Sequence, residues 1–406
     1  MKKKHILYLG NFLNERVVSK RQLPTNNPAG SNRMYRIAKA LSVHYKPIII
    51  SPGVSLNIKF NRQEINQKTI ISHKENVVHF FSKTLAVPVL GLVYSYITYL
   101  LAVIRLINKT KTKQIVVYNF DPQLVIIVLL LKVFYPKIKI INNIEDISKP
   151  TLNDFKSTSE DRPLQQIVFY ICMHIIAKIA DGIIIPTKRF KDFLPGKKHT
   201  LIVTGCIDVK QKPFSENLDK LIVLFSGKIA FEHGIDVFIE ALIKLSKQTK
   251  LKDKIKFYVT GGGQKSEWLK NRIKELNLID ITYFGFVSSV KYTELLNQAD
   301  VCVALQKETG RHSNYKTPSK VYEYLGNSKI VITTDVGDLK SLGDDIITIC
   351  APLTSDNLIS CFSKSIDERS KIVDKRLKVG QFALNHFDTL PVGIRIHDLL
   401  NDIQNK

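Results

Sequence analysis

The sequence predicts an α/β protein with two Rossmann-like domains, each built around a parallel sheet. Short apolar runs alternate with helical patterns in both halves of the 406-residue chain, and a polar, proline-containing stretch at 206–218 separates the two series. Strands that alternate with helices are typical of βαβ units, and a chain of this length can form two domains. We therefore predict one domain over residues 1–206 and a second over 207–385, with ligands bound at the carboxyl ends of the strands, in a cleft between the domains.

Apolar runs of strand length recur through both predicted domains. In the first domain the patterns predict strands at 5–10, 47–51, 77–81, 114–119, 139–143 and 182–186, and helices at 31–42, 123–134 and 164–180. In the second they predict strands at 221–226, 256–260, 281–284, 301–305, 329–333 and 346–350, and helices at 235–247, 267–276, 292–299 and 317–326. Residues 386–406 form a further helical pattern, which either packs on the second domain or returns to the first.

The stretch 84–107 is almost entirely apolar and is flanked by lysines. Its length and flanking charge would allow a membrane span, a helix that is partly buried and partly dipped into a membrane surface, or a core helix. Strand–helix alternation continues on both sides of it, and a span would break the sheet. We therefore expect a helix that is partly buried and partly dipped into a membrane surface.

The chain is strongly basic, with 60 Lys and Arg against 36 Asp and Glu and a formal charge of +24. This excess favours an anionic partner: a membrane surface, a nucleic acid or a phosphorylated substrate. Because the lysines are spread along the chain and are not interleaved with aromatic residues, we expect no nucleic-acid partner. Five scattered cysteines without a CxxC pair argue against disulfides and a zinc site, and favour a reducing cytoplasm.

The predicted helix 317–326 has clear end signals. Thr317 is a candidate N-cap, Pro318 suits the first helical position, and Gly326 is a candidate left-handed residue that ends the helix. Val321 and Leu325 fall on the face that such a helix would bury.

Ser319, Lys320 and Glu323 share a second face of this helix. Free backbone N–H groups and a lysine at a helix N-terminus suit a phosphate, and a carboxylate one turn later can accept two hydrogen bonds from a ribose diol. The sequence therefore indicates either a nucleotide site or a capped surface helix whose Glu323 is solvated.

Two further stretches in the second domain have the features of a phosphate site. Lys228 follows Gly227 directly after a predicted strand, and His233 opens the next helix. A lysine beside a helix N-terminus can neutralise a phosphate, although an exposed lysine in a tight turn would look the same. The run 261–263 is either a close backbone approach to a ligand or a flexible turn. It lacks the spaced glycines of a dinucleotide site.

In the first domain, Glu145 and Asp146 follow the strand predicted at 139–143. One carboxylate of such a pair could orient a substrate hydroxyl and accept its proton. The alternative is an acidic pair that caps a helix.

Together these stretches resemble the C-terminal half of family-4 glycosyltransferases, which are retaining enzymes of the GT-B fold with two Rossmann-like domains and a C-terminal helix that crosses back to the first. The resemblance covers the second domain well and the first only in outline. It rests on Phe225-Ser226-Gly227-Lys228, Gly234-Ile235-Asp236, Tyr283-Phe284-Gly285-Phe286, Gln298-Ala299-Asp300-Val301 and Pro318-Ser319-Lys320-Val321-Tyr322-Glu323-Tyr324-Leu325.

The resemblance implies a nucleotide-sugar donor held by the second domain. It implies that Glu323 holds the ribose hydroxyls and that Lys228 contacts the diphosphate. His233 stands where a second basic residue, usually lysine, is common. The family generally needs no metal ion, and we expect neither a metal nor a cofactor.

The chain departs from the family at the glutamate that contacts the sugar. Tyr315 occupies that position, with Asn314 beside it, so sugar recognition must differ. We expect Asn314, Tyr315 and the backbone at 317–321 (Pro318, Ser319, Lys320 and Val321 among them) to line the sugar–phosphate pocket. The loop at 26–33 corresponds to the family's first glycine-containing loop near the diphosphate, with Gly30 allowing close approach.

The resemblance is to bacterial enzymes that build surface polysaccharides such as capsule, O-antigen or exopolysaccharide. It implies transfer of a sugar to a lipid-linked or oligosaccharide acceptor by a cytoplasmic enzyme in peripheral contact with the anionic inner face of the cell membrane. A nucleotide-sugar 2-epimerase of the same fold is the alternative, and a basic nucleic-acid-binding protein is a remote one. Product analysis with a labelled donor and no acceptor would separate the first two.

Overall fold

We describe a computed structural model of the chain, which covers residues 3–23, 28–54, 66–85, 90–145, 163–194, 199–210, 220–276, 279–307, 315 and 317–405. The chain divides into two compact units. The first comprises Met1–Cys206 together with Thr389–Lys406, and the second comprises Ile207–Asp388. Each unit is an α/β layer structure around its own sheet.

An eight-stranded sheet forms the centre of the first unit, in the order β10-β9-β8-β7-β1-β2-β5-β4. Only the edge strand β4 runs antiparallel to its neighbour. A separate antiparallel pair joins β3 and β6. The strands are β1 His5–Leu9, β2 Lys46–Ser51, β3 Asn66–Gln67, β4 Ile70–Lys74, β5 Val77–Phe81, β6 Thr84–Leu85, β7 Gln114–Tyr118, β8 Lys139–Asn143, β9 Gly182–Ile185 and β10 Thr200–Ile202.

Helices cover both faces of this sheet, which is why its parallel strands are nearly continuous apolar runs. They are α1 Glu15–Arg21, α2 Pro28–Leu41, α3 Leu90–Thr110, α4 Pro122–Phe134 and α5 Pro163–Ile179. In the sheet order, the chain moves from β1 to β2 toward the β4 edge. It moves from β5 to β7, from β7 to β8 and from β8 to β9 toward the β10 edge. Because such crossovers are right-handed, α2 lies on one face, and α3, α4 and α5 lie on the other.

The second unit has a six-stranded, fully parallel sheet in the order β13-β12-β11-β14-β15-β16. Its strands are β11 Leu221–Ser226, β12 Ile255–Thr260, β13 Ile281–Tyr283, β14 Val301–Ala304, β15 Ile330–Thr333 and β16 Thr348–Ile349. Its helices are α6 Ile235–Ser246, α7 Thr249–Lys252, α8 Ser266–Lys274, α9 Ser289–Gln298, α10 Ser319–Gly326, α11 Ser355–Asp367 and α12 Ile372–His386. Alternate residues of β11 enter the two cores, Val223 on the side of α6 and Leu224 on the side of α10.

The last helix, α13 Thr389–Gln404, packs against α2 of the first unit. Val392, Ile396 and Leu400 are buried there in one core with residues of α2. A Cβ at Gly393 would lie 2.4 Å from the Ala40 carbonyl oxygen, so the two helices approach too closely for a larger residue. The predicted architecture of two α/β units, each built around a largely parallel sheet, is confirmed.

The predicted apolar segment 84–107 forms β6 and most of α3, which packs on the sheet through buried Tyr99, Val103 and Ile107. Among the described residues, no helix combines the length and the apolar character needed to cross a membrane.

The predicted ends of α10 were wrong. Pro318, not Thr317, occupies the N-cap, and no side chain caps the helix there. Gly326 is the last helical residue, and the left-handed conformation falls on Ser328, with φ of 54°. A Cβ at Gly326 would lie 2.5 Å from Ile207 Cδ1, so a larger residue there would require the end of that side chain to shift.

Candidate functional site

Helix α10 is fixed to the carboxyl end of β11 by a buried hydrogen bond. The hydroxyl of Tyr324, which is fully buried, lies 2.8 Å from Ser226 Oγ. Burial, with smaller contributions from Cys302 and Glu323, raises the pKa of Tyr324 well above its usual value, so the side chain stays a neutral hydroxyl. The bond therefore holds α10 beside the Gly227-Lys228 turn.

The first turn of α10 leaves two backbone donors without an acceptor within the described part of the chain, the N–H groups of Ser319 and Lys320. The next N–H, of Val321, donates to the Pro318 carbonyl oxygen over 3.0 Å. Unpaired amides at a helix N-terminus favour an anion. The side chain of Val321 lies in the core, and the predicted role of its backbone in the pocket stays a prediction.

Glu323 and Lys320 form an ion pair one turn apart, with 3.0 Å between Nζ and Oε2. The same ammonium donates to the Tyr292 hydroxyl over 2.9 Å and lies 4.2 Å from the centre of the Tyr292 ring. Lys320 is therefore directed toward α9, while the Glu323 side chain remains 27% exposed. The prediction that Lys320 and Glu323 share one helix face is confirmed, but the sequence did not indicate the contact between Lys320 and Tyr292.

Two glycine-containing turns pack directly on one another beside α10. Gly227 has φ of 140°, and a Cβ placed at Gly261 would lie 1.8 Å from the Gly227 carbonyl oxygen. Ile229 N–H donates to the Gly262 carbonyl over 3.0 Å. The close backbone approach at 261–263 is thus to the neighbouring turn of the same unit.

Lys228 and His233 share an acidic neighbour that sequence analysis did not consider. Glu232 Oε1 accepts from Lys228 Nζ over 2.8 Å and lies 3.7 Å from His233 Nε2. The lysine and glutamate side chains are both more than half exposed. Exposed pairs of this kind contribute little free energy, so an anionic ligand can replace Glu232 as the partner of Lys228.

Lys307, just after β14, is another basic residue near this turn. Its N–H donates to the Glu232 carbonyl over 2.9 Å, and its ammonium pairs with Asp236 of α6. A Cβ at Gly234, where φ is 67°, would lie 2.9 Å from Leu305 Cβ. The start of α6 and the end of β14 are therefore in contact, which brings Lys307 close to Glu232.

Glu145 lies at the carboxyl end of β8 in the first unit. Its Oε1 accepts from Arg33 Nε over 2.9 Å and from Asn143 Nδ2 over 2.8 Å. Its own N–H donates to Asn119 Oδ1 over 2.8 Å. The Tyr8 hydroxyl completes the network by donating to Asn143 Oδ1 over 2.7 Å. The carboxylate of Glu145 is therefore held by side chains of α2 and β8, and its backbone N–H by Asn119, which follows β7.

The network around Glu145 is largely buried, and its charges depend on one another. Burial alone would lower the pKa of Arg33, but the adjacent Glu145 carboxylate raises it above its usual value. Burial also raises the pKa of Tyr8, with further contributions from Tyr118 and Glu145. Glu145 is consequently a fixed carboxylate beside a permanent guanidinium charge. Asp146, the other predicted catalytic residue, lies outside the described residues.

Gly30 does not belong to a loop, as predicted, but is the third residue of α2. A Cβ there would lie 3.5 Å from the Tyr118 hydroxyl, an ordinary contact, and its φ is not positive. The predicted close approach of a diphosphate to the Gly30 backbone stays a prediction. Of the two residues predicted to recognise the sugar, Tyr315 is partly buried shortly before α10, and Asn314 lies outside the described residues.

The comparisons with known proteins define the class. Residues 207–358 match the family model for glycosyl transferases group 1, and these residues lie within the second unit. The matched residues include the turn after β11, Glu232, His233 and α10. The search of curated proteins gave no match.

Solved structures resemble the whole chain in fold. Sucrose-phosphate synthase from Thermosynechococcus elongatus is 13% identical, with a TM-score of 0.66 and 99% of each chain covered. HepE from Anabaena, in complex with UDP, is 13% identical, with a TM-score of 0.63, 98% of this chain and 100% of that chain covered. TarM is 12% identical, with a TM-score of 0.62, 100% of this chain and 99% of that chain covered. These likenesses confirm the predicted GT-B fold, and the match over 207–358 shows that this part of the chain is a glycosyltransferase domain.

Proposed function

We propose that this glycosyltransferase transfers a sugar, with retention of anomeric configuration, from a nucleoside diphosphate sugar to a lipid-linked oligosaccharide in surface polysaccharide synthesis. The observation that carries the donor assignment is the single cluster at the carboxyl end of β11. The Tyr324–Ser226 bond joins α10, which carries unpaired amides and the Glu323 carboxylate, to the strand end that Lys228 follows. HepE, whose fold this chain shares, has been solved with UDP-glucose.

Glu323 would accept both ribose hydroxyls, because a partly exposed carboxylate offers two oxygens to a diol. The amides of Ser319 and Lys320 would bind the diphosphate, with Lys228 exchanging Glu232 for a phosphate oxygen. As the glycosidic bond to the donor breaks, negative charge grows on the diphosphate. Preorganised donors of this kind stabilise such charge most strongly in the transition state.

Glu145 would orient the acceptor hydroxyl. Because Arg33, Asn143 and Asn119 hold its carboxylate and backbone, it offers a fixed hydrogen-bond acceptor at the end of β8. Positioning of this type reduces the entropic cost of bringing the acceptor oxygen to the sugar. The retaining outcome comes from the family resemblance. The lipid-linked acceptor and a location on the inner face of the cell membrane draw on that resemblance, the net charge of +24 and the apolar segment 84–107.

A panel of nucleoside diphosphate sugars tests this function. One member should raise the melting temperature of the protein and be cleaved to a nucleoside diphosphate when an oligosaccharide acceptor is supplied. Glu145→Gln should keep the thermal shift, since it lies outside the donor cluster, but lower the rate of transfer by about a hundredfold. Loss of the donor shift in this variant, or an unchanged transfer rate, would contradict the assigned roles. A product with altered sugar stereochemistry in the absence of acceptor would instead indicate an epimerase.

A further inference from the structure

Helices α3, α4 and α5 form one layer over a single face of the sheet in the first unit. Helices α4 and α5 pack side by side, and the rings of Phe120 and Phe169 meet edge to face. At the far end of the layer, the Tyr135 hydroxyl lies 3.4 Å from Asn108 Oδ1 of α3. The three helices therefore present one continuous outer surface, which we call the α3–α5 face.

Large aliphatic side chains line the outside of this face. On α3, Val93, Ile97 and Leu101 recur at every fourth residue and are all exposed, Leu101 by 58%. The opposite side of α3 carries the residues that pack on the sheet, so the core does not require this outer row. Comparable rows occur on the other two helices, where Val133 is 71% exposed and Ile171 is 50% exposed. Contiguous apolar surface of this kind marks an interaction site.

The charge on the α3–α5 face is predominantly basic. The three helices contain no aspartate or glutamate, and Lys109, Lys132 and Lys178 each lie in the last turn of their helix. One of these lysines, Lys132, pairs over 2.6 Å with Asp181, which follows α5. Exposed Arg105 and Lys111 extend the basic border at the end of α3. Since the three helices run in the same direction, these cations collect along one margin of the apolar rows.

This combination fits a lipid surface better than a protein. Protein interfaces are depleted of lysine, and a symmetric pairing of two copies would place like charges against each other. Lysines beside an apolar helical face, by contrast, can extend their ammonium groups to lipid phosphates while the aliphatic residues enter the acyl boundary. Anionic lipids attract such basic segments.

We propose that the α3–α5 face docks the enzyme on an anionic bilayer, with the aliphatic rows inserted and the lysine margin on the headgroups. This deepens the proposed function, because it names the surface through which an enzyme with a lipid-linked acceptor would reach the membrane. No helix of the described chain is long and apolar enough to span, so the helices would lie in the plane of the bilayer surface.

Flotation of the full-length protein with lipid vesicles tests the proposal. The wild type should float with vesicles of phosphatidylcholine and phosphatidylglycerol, and much less with phosphatidylcholine alone or at high salt. Leu101→Asp combined with Val133→Asp should lower the bound fraction at least about tenfold, because two charges would enter the apolar boundary. Leu377→Asp combined with Val290→Asp is the matched control, since both residues are exposed aliphatics of the second unit. It should bind like the wild type.

Donor-dependent thermal shift and transfer to a water-soluble acceptor, measured on the same variants, keep the two proposals apart. The thermal shift and the transfer rate should both stay at wild-type levels in the α3–α5 variant, Leu101→Asp combined with Val133→Asp. If the proposed function were wrong, the wild type itself would show neither the shift nor the transfer. Equal flotation of wild type and α3–α5 variant would overturn the docking proposal. A second outcome would also overturn it: the wild type does not bind anionic vesicles but forms dimers in light scattering, and Leu101→Asp combined with Val133→Asp abolishes those dimers.

Discussion

Arg33 of α2 and Glu145 at the end of β8 form a short ion pair, 2.9 Å from Nε to Oε1, although 112 residues separate them. The carboxylate side chain is only 10% exposed, and Arg33 also donates to the Val203 carbonyl over 2.6 Å. The pair thus ties the first crossover helix to the strand end that carries the candidate acceptor residue. Its contribution to stability and its contribution to activity can be measured separately.

Arg33→Met should lower the free energy of unfolding by about 2 kcal/mol, because it leaves a mostly buried carboxylate without its counter-ion. Adding Glu145→Gln should restore part of this loss, since the uncompensated charge is then gone. Urea denaturation followed by circular dichroism measures each variant. Lys244→Met, which breaks the exposed pair with Asp356 at 2.8 Å, is the control and should leave the free energy of unfolding nearly unchanged. Strictly additive effects of the two substitutions would show that Arg33 and Glu145 do not interact.

Much of this architecture could be predicted from the sequence, because strands such as β9 and β11 are buried throughout and appear as uninterrupted apolar runs. The edge strand β4 was missed, since its exposed and polar residues weaken that signal. The Lys320–Glu323 pair was accessible from helical spacing. The Arg33–Glu145 and Lys320–Tyr292 contacts were not, because they join residues that only the tertiary fold brings together. The Lys228–Glu232 pair was missed as well, because Lys228 lies in a turn before the short helix Phe231–His233 and helical spacing does not apply there.

Glu323→Gln should lower kcat/KM for the donor by at least about tenfold, because the amide replaces one of the two acceptor oxygens with an NH2 donor and removes the negative charge. A 2′-deoxyribose analogue of the preferred donor gives a sharper measurement. The wild type should discriminate against it, whereas the variant should bind ribose and deoxyribose forms with nearly equal Kd in calorimetric titrations. Glu294→Gln, in an exposed pair with Lys291 on α9, is the matched control and should behave like the wild type. Undiminished discrimination in Glu323→Gln would rule out the ribose contact.

Glu232→Gln should tighten binding of the nucleoside diphosphate by about two- to threefold at low salt, because the phosphate no longer has to displace the Glu232 carboxylate from Lys228. Lys228→Met should act in the opposite direction and weaken binding by about tenfold. Calorimetric titration at low and high salt measures both. Glu267→Gln removes an acid from a comparable exposed pair on α8, with Lys270 at 2.7 Å, and should leave the affinity unchanged. Weaker binding in Glu232→Gln would mean that this carboxylate supports the ligand directly.

Gly261→Ala should destabilise the second unit by about 3 kcal/mol and weaken nucleotide binding, because the new Cβ would lie 1.8 Å from the Gly227 carbonyl oxygen. The backbone at Gly261 also has φ of 130°, which an alanine adopts only with strain. Gly262→Ala is a neighbouring control, since a Cβ there meets nothing within 4 Å. It should unfold at the same urea concentration as the wild type and bind the nucleotide equally well. If both variants were equally stable, the two turns could not be packed as tightly as described. If Gly261→Ala lost stability but kept its nucleotide affinity, the contact between the turns would support the fold alone and not the shape of the donor site.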